Sequence, residues 1–352
     1  LIVNRRFVRF NTPEFSEVMN ASAGSIFLGV ALTLSFPFTS TAQVLFSDSF
    51  DSYASPSTIT ASGAANGYNI YFSAPTGPED FTAVFGFDYS GVSSPVTIPP
   101  APHSTGGTTK GLYLTVNKDD STAAISAVNL YPLGQNFSGN YSLTFDLWMQ
   151  PGVFATTEHA LFGINHSGLV TNQIIKPGSD GLFYAMDGDG GVANNNPNIR
   201  DFSVYQGTGP GTPQLVLSNF GPVPALGTQF DNAEPGFTNL FPVTPANGAN
   251  PAGSPCYRWV AGEVRQEGSL ITWLLDGVIV AQYTNATAYT SGNIMLGYAD
   301  TLSSVGIGSF AIFDNINVSA IPEPSAVTLV LLGNGLTLFF VGGRRRRGGL
   351  GT

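Results

Sequence analysis

The groups able to do chemistry are few and far apart: only 10% of the 352 residues are Asp, Glu, Lys or Arg. Glu263 and Glu267 come nearest to a carboxylate pair. Retaining glycoside hydrolysis needs two carboxyls about 5 Å apart, and the turn signal Gly268-Ser269 behind Glu267 predicts a side chain turned away from Glu263's strand, so both read as solvated residues. His159 and His166 flank ALFGIN, with Glu158 beside the first. Three such ligands could hold zinc, but positions seven apart on a strand face opposite sides, which predicts two unrelated polar residues. Cys256 is the single cysteine, so no intramolecular disulfide can form. No histidine is spaced to activate it, and it reads as a small packed residue.

The most suggestive polar stretch is AMDGDGGVANNNPNIRD, residues 185–201. Asp187 and Asp189 alternate with glycines there, and hard oxygen donors on a Gly-rich turn are what calcium accepts. The stretch lacks the third carboxylate and closing glutamate of a helix-loop-helix calcium site, and a plain Asp-Gly turn is the competing reading. Neither a Gly-x-Ser-x-Gly elbow nor a phosphate-binding loop occurs.

The elements that must position these groups are strands. Gly (42) and Pro (24) punctuate short alternating or β-branched runs. Strands are expected over GLYLTVN (111–117), YSLTFDLWMQ (141–150), LITWLL (270–275), VIVAQY (278–283), GNIMLGYAD (292–300) and FAIFDNINVS (310–319). Asp276-Gly277 between two apolar runs predicts a two-residue type I′ hairpin, with Ile271, Trp273 and Leu275 on one face. Residues 207–255 are dense in Gly, Pro and Asn, with PQLVLSNF the one strand candidate. Phe220, Phe230, Phe237, Leu240 and Phe241 predict that this long loop packs against the body. The expectation is an all-β antiparallel sandwich over residues 43–320, one domain because no linker divides it.

All but three of the 23 acidic residues fall between Gln43 and Ala320, whereas seven of the 13 basic residues lie at the two ends. So acidic a body repels phosphate backbones and argues against nucleic acid as a partner, leaving neutral glycans and divalent cations open. The ends carry addresses. Residues 25–38 form an apolar run with the length of a signal-peptide core, followed by Ser40-Thr41-Ala42, so residues 1–42 read as a signal peptide with an upstream extension, cut before Gln43. The start codon could be Met19 or lie near Leu1. At the other end, residues 325–343 carry no charge and as a helix would reach about 28 Å, enough to cross a bilayer. Arg344, Arg345, Arg346 and Arg347 follow and would stay cytoplasmic, placing the body outside.

Pro322-Glu323-Pro324, the apolar span and the arginine cluster, residues 321–352 together, resemble the PEP-CTERM sorting signal, which implies processing at the tripeptide by an exosortase in the membrane. The runs YSLTFDLWM, WVAGEVRQEGSLITWLLDGVIVA and LGYADTLSSVGIGSFAIFDNINV resemble strands of concanavalin A-like, laminin G-like sandwiches, which implies that fold and, more often than catalysis, a ligand-binding role. Related sandwich glucanases carry a Glu-x-Asp-x-x-Glu run, and this chain has none.

The resulting expectation is a non-enzymatic protein exported to the cell surface or extracellular matrix, meeting the export machinery and an exosortase and contacting polysaccharide. The alternatives are a secreted glycan hydrolase or lyase on the same sandwich, or a purely structural surface protein. Carboxylates clustered in a cleft would point to the enzyme, and an exposed aromatic platform to binding.

Overall fold

The computed structural model describes residues 42–73, 80–93, 96–117, 125–151, 158–187, 201–209, 211, 214–215, 235–243, 252–301 and 308–322. The signal peptide, Glu323, Pro324, residues 325–343, Arg344 to Arg347, Asp189, Phe220 and Phe230 lie outside them.

Two antiparallel sheets face each other. The first contains β1 (Val44–Asp48), β2 (Ser57–Ile59), β5 (Phe81–Asp88), β6 (Lys110–Val116), β9 (Tyr141–Gln150), β14 (Trp259–Glu267), β15 (Leu270–Leu275), β16 (Val278–Thr284) and β18 (Phe310–Ala320). Its order is β16-β15-β14-β9-β18-β6-β5-β2, with β1 also paired to β18. The second contains β3 (Gly63–Ala65), β4 (Tyr68–Ser73), β7 (Ser126–Pro132), β8 (Phe137–Ser138), β10 (Glu158–His166), β11 (Leu182–Asp187), β12 (Phe202–Gln206), β13 (Gln214–Leu215) and β17 (Ser291–Asp300). Its order is β13-β12-β11-β10-β17-β7-β4-β3, with β8 on β17. This is the all-β antiparallel sandwich that the strand pattern predicted.

The core follows from period-2 alternation. On β9 Tyr141, Leu143, Phe145, Leu147 and Met149 point inward, toward Ala160, Phe162 and Ile164 of β10 and Leu182, Tyr184 and Met186 of β11. Trp273 is fully buried among them, its ring centroid 5.5 Å from Phe162 and 5.0 Å from Tyr184. Asp276 and Gly277 form the β15–β16 turn with φ of 48° and 76°, the left-handed pair that a type I′ turn requires.

Two smaller apolar clusters lie on the outer faces. On the second sheet Leu161, Phe183, Tyr131 and Met295 are covered by the segment that carries Ile174. On the first sheet Trp148, Phe310 and Ile312 are covered by Tyr89 and by the strap, residues 96–109, which contributes Ile98. Within the long loop a short helix, α1 (Pro235–Leu240), lays Phe237 flat on Phe202 at 3.7 Å between centroids, and Phe241 is fully buried beside it. The apolar anchors that fall among the described residues hold the loop against the core.

Candidate functional site

The outer face of the first sheet carries a cleft of about 650 Å³. Its floor comes from alternation: the residues of β9, β14 and β18 that do not enter the core, namely Thr144, Ala261, Glu263 and Asn317, point outward side by side. Gly262 leaves room for the ring of Phe145, its cross-strand partner, which a Cβ at that position would strike. One wall is the end of β1 and the turn after it, with Ser47, Asp48, Ser49 and Ser52, and another is His103 of the strap. A bulge in β18 between Asp314 and Asn317 puts Asn315 at φ 52° and turns its amide toward the strap.

Carboxylates are numerous in and under this cleft, and each is bonded from within the protein. Asp48 accepts from the backbone N–H of Phe50 (2.8 Å) and from the Tyr68 hydroxyl (3.0 Å), while burial raises its pKa. Glu263 takes a two-point bond from Arg265, at 2.6 and 2.9 Å. Asp146 is fully buried under His103; its Oδ1 lies 2.7 Å from His103 Nδ1, and its Oδ2 accepts from the His103 backbone N–H (3.0 Å) and the Asn315 amide (2.9 Å). Asp314, the cross-strand partner of Asp146, contacts Tyr89, Ser104 and the Asn315 N–H. Burial pushes its carboxyl up to about 7.

The cleft's neutral tips behave differently. Among the described residues, the hydroxyls of Ser47, Ser49 and Ser52, the Asn317 Nδ2 and the His103 Nε2 have no protein partner, and the His103 side chain is 66% exposed. The site therefore offers water or a ligand polar donors and acceptors beside acids whose oxygens are already bonded within the protein. Phe145 is the one aromatic residue in its lining, so no aromatic platform is present there.

The residues singled out from sequence lie elsewhere. Asp187 ends β11, buried, with its Oδ2 4.0 Å from Nε2 of His159 across the β10–β11 pair. Among the described residues no group of three His, Cys, Asp or Glu side chains could hold a metal. His166 is buried far along β10 from His159, and its Nδ1 lies 2.9 Å from Asp180 Oδ1. Cys256 is fully buried, its Sγ 2.8 Å from the Ser254 hydroxyl. Pro322 is exposed two residues after β18. The expectation for Glu267 needs correction. Glu267 is the last residue of β14, an even number of positions from Glu263 and so on the same face, because the turn begins only at Gly268. Four residue steps along the strand still separate the two Cα atoms by about 13 Å, too far for a retaining pair.

His103, Asp146, Asp314 and the serines of the first turn carried no usable signal in the sequence. Their neighbours are remote in the chain, and only the pairing of β9 with β18 brings Asp146 to Asp314.

No family model and no curated protein matches this chain. Among solved structures it is similar to the VIP36 exoplasmic/lumenal domain in its Ca²⁺/mannose-bound form, at 10% identity and TM-score 0.40 over 68% of this chain and 90% of that one. It is similar to the carbohydrate-binding module CBM66 from Bacillus subtilis at 11% identity and TM-score 0.35, over 60% of this chain and 87% of that one. The Emp47p carbohydrate recognition domain aligns at 10% identity and TM-score 0.36, over 78% of this chain and 96% of that one.

Proposed function

We propose that this protein is an exported, non-catalytic module that binds neutral polysaccharide in the cleft on the first sheet. The observation that carries the reading is the division of labour in that cleft. Its carboxylates are committed to internal donors, whereas the serine hydroxyls, the Asn317 amide and His103 Nε2 are presented outward. Sugar hydroxyls are donors and acceptors without charge, and such tips match them. A general acid or nucleophile needs a carboxylate oxygen free to reach substrate, and Glu263 is clamped by Arg265.

The same reading includes export and sorting. The PEP tripeptide begins at exposed Pro322 as the last strand leaves the sandwich, which supports access by a processing enzyme. It also includes a calcium ion at Asp187 and Asp189, supported by carboxylates alternating with glycines where β11 ends. Calcium would there tie down the turn.

The test is an array of soluble neutral and uronate-containing glycans probed with the exported protein, in calcium and in chelator, with reducing ends assayed in parallel. Binding to a neutral glycan is expected, weakened about tenfold or more in Asn317→Ala at unchanged Tm. Chelator should lower the Tm of the protein but not that of Asp187→Asn. Silence across the array would overturn the binding reading. Release of reducing ends that disappears in Glu263→Gln would replace it with the hydrolase.

A further inference from the structure

The strap that walls the cleft is fastened through one pair of buried acids. Asp146 on β9 and Asp314 on β18 are cross-strand partners, each at most 1% exposed, which sets their Cβ atoms about 5 Å apart. Asp146 holds His103 by side chain and backbone. Asp314 holds Ser104 and Tyr89, and Trp259 ties the strap at Pro99 through its indole N–H (2.7 Å).

Counting protons around the Tyr89 hydroxyl locates one of them. That oxygen accepts from the Ala101 N–H (3.2 Å) and has two acceptors in reach, Asp314 Oδ2 at 2.9 Å and the Thr108 carbonyl at 3.2 Å, yet a phenol has one proton to give. The conflict disappears if Asp314 carries a proton and donates it to Tyr89, freeing the phenol proton for Thr108. Of the other titratable groups, Tyr89 and Asp51 act on Asp314 directly, and Asp146, with His103 bonded to it, is its cross-strand partner. Burial favours the neutral acid, and the nearby carboxylate of Asp51 adds to it.

We propose that the strap is a proton-operated latch: neutral Asp314 closes it and holds His103 on the cleft wall, and ionised Asp314, side by side with Asp146, releases it. This regulation rests on the reading of the cleft as the binding site. The carboxyl of Asp314 lies near 7 in the closed strap and would return toward about 4 on opening. Closure is therefore favoured at acid pH and weakens by up to about tenfold per pH unit between roughly 4 and 7, levelling off above.

The experiment is hydrogen–deuterium exchange of the ligand-free exported protein at pH 5 and pH 7.5, corrected for intrinsic rates. Amides of residues 99–109 should lose about tenfold or more of their protection at the higher pH, while those of β6 and β9 do not. Asp314→Asn, whose amide can donate to Tyr89 without charge, should keep the strap protected at both values, and Tyr89→Phe should expose it at both. A strap whose protection is equal at the two pH values in the parent protein would overturn the latch. So would a pH response that survives in Asp314→Asn. Because no glycan is present, a silent array leaves this result intact, and a pH-insensitive strap leaves glycan binding intact.

Discussion

At the scale of single residues, this protein uses its few charges mostly as internal fasteners. Asp180 shows the pattern most clearly. Burial opposes its ionisation, but the bond to and charge of His166, the Ser167 N–H and the Asn172 amide together hold its carboxyl far below the usual range. A carboxylate with a depressed folded pKa contributes stability that is present above the unfolded value of about 3.9 and is lost as pH falls below it. Asp180→Asn should therefore lower Tm by several degrees at pH 6, and its gap from the parent protein should shrink steadily as pH falls from about 4 to 2. A gap of constant size in Tm scans from pH 6 to 2 would show that this carboxylate is not the group being lost. Asp314 has the opposite sign, its stabilising proton being lost on the alkaline side.

Among the elements, those easiest to foresee are those with one face wet. β14 alternates half-buried with buried residues along its length, and β15 and β16 flank a turn whose chemistry is local. By contrast every residue of β7, β10 and β11 is buried, because covering segments lie over the outer face of the second sheet. With both faces dry there is no reason for polar residues to recur every second position, so the period that identifies a strand is absent. The long loop carries a related lesson, since its phenylalanines announced packing but not its place. Phe237 stacks on Phe202 of β12 and belongs to the main core. Truncating it to alanine should cost about 3–5 kcal/mol, read as a shifted midpoint in urea unfolding; a change under about 1 kcal/mol would mean that the loop rests on the sandwich without supporting it.

For the molecule as a whole, the role proposed for the last segment can be tested apart from the body. If the last segment were an ordinary anchor, membrane insertion would depend on the apolar span and the arginines, and Glu323→Ala would change nothing, since that residue lies outside the bilayer core. As a sorting signal it is read by an enzyme, so in a host with an exosortase Glu323→Ala should leave uncut protein in the membrane. The mass and the membrane-to-surface ratio of the variant decide between them, and wild-type processing would reduce the segment to a plain span.

The all-β class, the hairpin at Asp276-Gly277 and the inward Trp273 were legible from sequence because each rests on a local rule: side-chain alternation, turn stereochemistry and the cost of exposing an indole. The sorting signal proposed for the last segment rests on an equally local pattern. The cleft was not legible, and neither was the acid pair beneath its wall. Asp146 and Asp314 are 168 positions apart, and they meet only because β18 runs between β6 and β9 with one extra residue at Asn315. A strand's own sequence states which residues share a face. Which strand lies beside it, in what register and under which covering segment, is decided by the packing of the whole sandwich, and the meeting of distant polar groups is a consequence of that packing alone.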